Sequence, residues 1–516
     1  MTQENPTYSR RRTARNAWQF ILGKGFSAFC TAFLLGFIVR FLPLNDYGLY
    51  VSALATLETG IALSSLGVDW AIIRYIPYYV VGGSYLELRR FLVITFFLRL
   101  GLLLTYAGMA SGISYYVWPE QFAAHQHAIF LLAALFVSEG LLRLLRDNTL
   151  ESLANQAFTQ LGIVIRQGFF LSILGVASLK GVPACLDTVL LSEFTASFLA
   201  LIIVIFFVYR TIRPLKQQIP GDNWRTPLFS DIRRTALHNY ISDLLGYPYA
   251  LQSLTLLIAV FESPAHVALF GFIAQIVIIL RGYLPALLLM NVMRPRLFGL
   301  YEMTQQFEKP ATEAKLLSRL SFLTIFPIVV GTAHYGDWLI QLASGQRFQE
   351  GGTVFLLFTL SLIFRIQRQT ATLLINCVKR SSILIRNAIF SCLTFPLFVF
   401  LMSTGHAIWF AAIAVIWDEV LWSTCSKYLL TAVGFNWSLD LKFILRLTLI
   451  SLLCEASLTL LNIPVNLTGF LLTSLFISVF FCGYLYFFNP LGTEGRQIKD
   501  MFMQRIKHTG KNEVHE

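Results

Sequence analysis

Charge is scarce in this 516-residue chain: 13% of its positions are Asp, Glu, Lys or Arg, while 56% are apolar. A water-soluble chain of that length needs far more charge to cover its surface, so a soluble globular protein is excluded. Cysteine is sparse too, and Cys30, Cys185, Cys377, Cys392, Cys425, Cys454 and Cys482 stand singly, mostly inside apolar runs. No pair of them has metal-ligand or redox spacing, so they read as small core residues. The eight histidines lack zinc-ligand spacing, and neither a phosphate-cradling Gly-rich loop nor a nucleophile elbow occurs. These absences argue against ATP-driven transport by this chain alone; no catalytic residue, metal or other cofactor is expected. A cleavable leader is not expected either, because the first apolar stretch follows Arg10, Arg11, Arg12 and Arg15 and runs past Phe41 without a small-residue cleavage site.

What is present is length enough to cross a membrane many times. Mean hydropathy is +0.64, and phenylalanine alone occurs 45 times. A helix needs roughly 20 apolar residues to cross the hydrocarbon core, and that ruler gives about fourteen spans. Among them are Tyr47–Val68 as the second, Ala236–Phe261 as the seventh, Ala265–Met293 as the eighth and Thr353–Cys377 as the tenth. The eleventh and twelfth divide at Ser403-Thr404-Gly405-His406. The net charge of +12 is not gathered on one polar domain, so nucleic acid is not an expected partner. It falls instead in short clusters between apolar runs. With a cytoplasmic amino terminus, the opposite side keeps only Arg40, Lys180 and Arg347, an asymmetry that places both ends in the cytoplasm.

The expected organisation is a basic amino terminus (1–16), a first lobe of six spans (17–210) and a cytoplasmic linker (211–234) carrying Pro214, Pro220, Gly221 and Pro227. A second lobe (235–432), two further spans (433–489) and a basic tail (490–516) follow. The halves echo each other. Tyr47-Gly48 opens the second span and Arg74-Tyr75-Ile76-Pro77 closes it; Phe270-Gly271 and Arg294-Pro295-Arg296 stand correspondingly in the eighth.

The chain resembles the polysaccharide (Wzx-type) flippases of the multidrug/oligosaccharidyl-lipid/polysaccharide exporter superfamily. The resemblance rests on an ordered set: Asn16 through Lys24-Gly25, Phe41-Leu42, Tyr47-Gly48-Leu49-Tyr50, and Ser65-Leu66-Gly67-Val68-Asp69 running into Arg74-Tyr75-Ile76-Pro77. Leu342 to Phe348 with Gly345, and the Cys377-Val378-Lys379-Arg380 turn, complete it. It implies an all-α polytopic membrane protein with two six-helix lobes in a V around a central cavity, plus two carboxyl-terminal helices. It also implies a bacterial inner-membrane location, a polyprenyl-diphosphate-linked oligosaccharide as cargo, and alternating access. Membrane lipids and polysaccharide polymerase or export machinery are the corresponding partners, with H+ or Na+ as a candidate coupling ion.

Ionisable side chains inside spans are functional candidates by default. By the resemblance, the first, second, seventh and eighth helices line the cavity, which selects Lys24, Glu58, Asp243 and Arg281. At 1.5 Å per residue Lys24 lies roughly 10 Å in from the cytoplasmic start of its helix, and Arg281 about 24 Å from the outer start of its own. A diphosphate headgroup entering from the cytoplasm would meet both, arginine by bidentate hydrogen bonds and lysine as a mobile charge. Lys24, Ser27 and Thr31 share one helical face, as do Asn239, Ser242, Gly246 and Tyr249, supplying polar groups for sugars. Glu58, Asp243, Glu193 and Glu455 are candidate coupling acids. The structural alternative is that Lys24–Glu58 and Asp243–Arg281 are buried ion pairs in helix packing, as Arg99 with Glu139 and Arg365 with Asp418 or Glu419 are read to be. Two other functions compete with the flippase: a cation-coupled drug antiporter of the same superfamily, and a membrane glycosyltransferase or polymerase. The short outer loops and the lysine on the first helix weigh against both.

Overall fold

The computed structural model describes the backbone over 10–488, apart from 83–84, most of 118–124, 154, 218–225, most of 289–305, 379, 381, 439 and 462, and side chains from Gly23 onward. The amino-terminal arginines, Arg294-Pro295-Arg296, Lys379 and the basic tail therefore lie outside the described side chains, as does part of the 211–234 linker. Among the described residues there are helices and turns but no strand.

Among the described residues, sixteen helices of eleven residues or more carry the fold. The first nine are α1 (Arg10–Phe41), α2 (Leu44–Leu63), α3 (Val68–Gly82), α4 (Tyr85–Val117), α5 (Gln126–Arg143), α6 (Gln156–Leu179), α7 (Leu186–Ile212), α8 (Phe229–Gly246) and α9 (Leu251–Phe261). They are followed by α10 (Pro264–Arg281), α11 (Glu308–Ser344), α12 (Gly352–Cys377), α13 (Ser382–Ser403), α14 (Ala407–Ala432), α15 (Leu441–Leu461) and α16 (Leu467–Phe488). By length and composition, 11 are able to cross a membrane, or up to 13 when each of two bent pairs counts as one span. The 26-residue α12 is long enough as well, but Arg365 and Arg368 interrupt its apolar run. The apolar residues turned outward confirm the solvent these helices expect. Leu445, Leu449 and Leu452 on α15 and Leu471, Leu475 and Val479 on α16 are all more than half exposed, a continuous apolar surface that only lipid covers without cost.

Breaks in the spans have local causes. The expected second span is a pair, α2 and α3, bent by 57°. Leu66 (φ 42°) and Gly67 (φ 79°) take left-handed backbone there, and a Cβ on Gly67 would strike the carbonyl of Ala236 on α8. The opened end of α2 is bound from two sides: Arg99 Nη2 donates to the carbonyl of Ile61 at 2.8 Å, and Tyr240 Oη to that of Leu63 at 2.8 Å. Pro77, read as the close of that span, lies inside α3 instead. The expected seventh span is also bent, by 40° between α8 and α9, where Pro248 lacks the N–H a continuous helix needs. Between α13 and α14, Gly405 (φ 102°) and His406 (φ 60°) make the turn expected at 403–406.

By their internal contacts the helices form two compact units, Met1–Phe272 with Val399–Ala407, and Ile273–Phe398 with Ile408–Glu516. In unit 1, α5 and α6 pack along α7, α6 along α1, and α3 against α8. Unit 2 is organised about α11, which lies along α12 and also meets α15 and α16.

Candidate functional site

Unit 1 encloses a chain of charges drawn from four helices. Arg143 on α5 clamps Glu58 of α2 with two hydrogen bonds, 2.6 and 2.5 Å, and its Nε donates to Glu139 at 2.9 Å. The other oxygen of Glu139 accepts from Arg166 of α6 at 2.8 Å and from Ser197 of α7 at 3.0 Å. Arg166 goes on to Glu193 of α7 at 2.7 Å, and Tyr50 of α2 donates to the far oxygen of Glu193 at 2.9 Å. Three carboxylates thus share two guanidinium groups. Fork-shaped, permanently charged arginines suit this role because each satisfies two acids at once.

These contacts revise the pairings read from the sequence. Glu58 is held by Arg143 rather than by Lys24. Arg99 reaches Asp69 at 4.0 Å and is not the partner of Glu139, while Glu193, a candidate coupling acid, is held by Arg166 and Tyr50. Arg143 is the last residue of α5. A π-helical stretch, Leu144–Leu150, prolongs α5 beyond it and keeps it within the helix packing. The i, i+4 spacing of Glu139 and Arg143 was the available signal.

The remaining unit-1 candidates are dispersed. Lys24 is half-buried on α1, within electrostatic reach of Glu151. Ser27 donates to the carbonyl of Lys24 at 3.0 Å and Thr31 to that of Ser27 at 2.8 Å, while Gln167 donates to the Thr31 hydroxyl. Both hydroxyls keep a lone pair, but their protons are already engaged. On α8, Asn239 donates to the carbonyl of Thr235 at 2.9 Å, Ser242 is half-exposed, and exposed Asp243 accepts from Trp70 Nε1 at 2.6 Å. Tyr249 leaves that face: it follows the break at Gly246 and is buried.

Unit 2 holds a cluster of opposite balance. Arg365 donates to Glu419 at 2.5 Å, and Arg368 lies 2.6 Å from Asp418 and 3.5 Å from Glu419. Ser391 of α13 donates to the other oxygen of Asp418, and the Arg368 guanidinium lies 4.3 Å above the Trp422 ring. Of the two partners expected for Arg365, Glu419 is the one it takes. Arg281, at the end of α10, is half-buried and within electrostatic reach of Arg365, Arg368 and Glu419. Among the described residues it makes no hydrogen bond or ion pair. Three arginines therefore face two carboxylates. Elsewhere in unit 2, Glu455 on α15 meets His334 of α11 at 3.0 Å. No group of His, Cys, Asp and Glu among the described residues is arranged to hold a metal ion.

No protein-family profile matches the chain, and no curated protein sequence does. Solved structures do resemble it. The lipid II flippase MurJ in an inward closed conformation superposes with a TM-score of 0.65 at 11% identity, over 92% of this chain and 99% of MurJ. A MATE transporter in a straight conformation gives 0.56 at 13% identity, over 82% and 96% of the two chains. An inward-facing multidrug resistance MATE family transporter of the MOP superfamily gives 0.53 at 14%, over 78% and 95%. The chain thus has the all-helical, polytopic fold that these flippase and transporter structures share.

Proposed function

We propose that this protein moves a polyprenyl-diphosphate-linked oligosaccharide, an O-antigen or exopolysaccharide repeat unit, from the cytoplasmic to the outer leaflet of a bacterial inner membrane by alternating access. The observation that carries this reading is Arg281: a cation on an apolar helix, half-buried, with no ion pair among the described residues, in a cluster where arginines outnumber carboxylates. An unpaired guanidinium inside a membrane protein is costly to maintain, and a diphosphate is the dianionic partner whose geometry it matches. The fold shared with a lipid II flippase supports the same class of cargo. Lys24 is assigned the second headgroup contact, with Ser27, Thr31, Asn239, Ser242 and Tyr249 as polar positions for the glycan. Both termini are assigned to the cytoplasm, and a polysaccharide polymerase or export complex is the downstream partner on the far side.

The test is transport of a fluorescent polyprenyl-diphosphate glycan into proteoliposomes at matched folded protein. Arg281→Ala is expected to lower the initial rate by about 10-fold or more, the scale of one lost charge-assisted contact, with Lys24→Ala losing less. Wild-type rates in both variants would remove these residues from the substrate path.

A second reading, a cation-coupled small-molecule antiporter, is favoured by one observation: in unit 1 three carboxylates share two arginines, leaving one negative charge that a proton or Na+ would balance. Glu58 and Glu193 end that chain and are the acids assigned to coupling, ahead of Asp243 and Glu455. Export of a cationic dye by wild-type protein that moves no glycan would make this the function.

A further inference from the structure

We propose that Trp70 and Asp243 form a sugar-binding subsite: the indole is the platform for the C–H face of a pyranose ring, and the carboxylate accepts protons from that ring's hydroxyls. The inference rests on the reading that the cargo carries a glycan, and it adds to the recognition of that glycan a tryptophan that no charge or motif marks.

Trp70 stands in the first turn of α3 and Asp243 in the last turn of α8, both in unit 1. Trp70 Nε1 donates to Asp243 Oδ2 at 2.6 Å. That bond uses the only donor of the indole and fixes the ring, yet leaves its face available. Trp70 is half-buried and makes no stacking or cation–π contact among the described residues. Asp243 is exposed, and its Oδ1 has no hydrogen bond among the described residues. A carboxylate has about four acceptor positions, so one bond from Trp70 leaves room for hydroxyl donors. The surroundings are polar and open as well. Asn239, Asp243 and Gly246 lie at i, i+4 and i+7, on one face of α8. Asn239 Nδ2 is engaged by the carbonyl of Thr235 at 2.9 Å, which leaves its own carbonyl oxygen as a second acceptor. A Cβ at Gly246 would meet nothing within 4 Å, and no residue of α8 is buried.

A polar, open face on a membrane span is costly against lipid, so it lines water. Both spans that supply the pair are also broken beside it, at Leu66-Gly67 before Trp70 and at Tyr247-Pro248 after Asp243. Interrupted helices of this kind are where transporters place substrate. A pyranose has an apolar C–H face and a rim of hydroxyls, and an aromatic plane with acceptors at its edge matches both. The unused groups here are acceptors, and a carboxylate repels phosphate. The subsite therefore takes the sugar end of a lipid-linked cargo and not its headgroup.

The experiment compares the affinity of the full-length protein in detergent for two probes, a fluorescent polyprenyl-diphosphate glycan and the same lipid diphosphate without sugar. Wild type is expected to prefer the glycan-bearing lipid by about 10-fold, the scale of one stacked ring with a charge-assisted hydrogen bond. Trp70→Leu should abolish that preference, while Trp70→Phe, which keeps a ring but loses the N–H, should retain most of it. A bond that only fastens α3 to α8 predicts equal loss, because phenylalanine gives up the contact with Asp243 as leucine does. Equal loss in the two variants overturns the proposal, as does a preference that survives Trp70→Leu at wild-type thermal stability. Gly246→Leu leaves the pair intact and sends a side chain into the open space beside Asp243. Loss of the preference in that variant at an unchanged unfolding temperature supports a sugar lying there, and an unchanged preference refutes it. Affinity for the bare lipid diphosphate should stay at the wild-type level in all three variants; a parallel loss for both lipids overturns the assignment. Glycan transport by wild type with a preference indifferent to Trp70 keeps the flippase reading and sinks this one. Export of a cationic dye by wild type that binds neither lipid sinks both.

Discussion

Both oxygens of Glu139 are engaged, by Arg143 on one side and by Arg166 and Ser197 on the other, so each neighbour depends on the rest. Breaking such a chain is costlier than shortening it. Arg166→Met strands Glu139 and Glu193 together and should destabilise the folded protein by ~3–5 kcal/mol, read as a large fall in unfolding temperature in detergent. Tyr50→Phe removes one donor from the end of the chain and should cost only about 1–3 kcal/mol. An equal loss in the two variants would mean that the chain is not a coupled unit. Much of this was legible as types but not as partners. Arg166, Glu139 and Glu193 stand out in the sequence as charges within apolar runs. Tyr50 and Glu193, however, are 143 positions apart, and nothing in local spacing announces their bond.

At the scale of elements, the echo between Tyr47-Gly48 and Phe270-Gly271 acquires a physical meaning. A Cβ at Gly48 would collide with the backbone carbonyl of Pro264 on α10, and a Cβ at Gly271 with Val51 on α2. Both glycines serve one crossing of α2 and α10 inside unit 1, where Tyr47 and Phe270 are buried beside them. Small residues allow such backbone contact in membranes, where packing and not hydrophobicity joins helices. Gly48→Leu and Gly271→Leu should each cost ~1–3 kcal/mol by overpacking, while Gly168→Leu, which meets open space, should leave the unfolding temperature unchanged. Equal tolerance at all three positions would show that the crossing does not form. Gly67→Ala faces both a left-handed φ of 79° and the Ala236 carbonyl, and should be more damaging than alanine at Gly168.

Over the whole molecule, the distribution of Lys and Arg predicts a sidedness that labelling tests. Single cysteines replacing exposed Lys180 and Arg347 are expected to react with a membrane-impermeant maleimide added to intact cells, and one replacing exposed Arg210 only after the membrane is opened. The reverse pattern would invert the topology and move the proposed headgroup contacts to the opposite leaflet.

Composition and apolar run length were sufficient to determine the class of solvent, the all-helical architecture and the approximate spans, because a bilayer imposes one length and one backbone solution on every crossing. The turn at 403–406 was visible for the same reason: backbone requirements are written locally. Partnership was not. Which arginine holds Glu58, why Arg143 is internal, where α2 breaks, and that among the described residues Arg281 has no ion pair and Glu419 keeps an oxygen unused were decided only by the tertiary structure. The physical reason is that ion pairs in a helical membrane protein join helices distant in sequence. Their geometry depends on how each helix is rotated and how deeply it sits, two quantities that hydropathy does not encode.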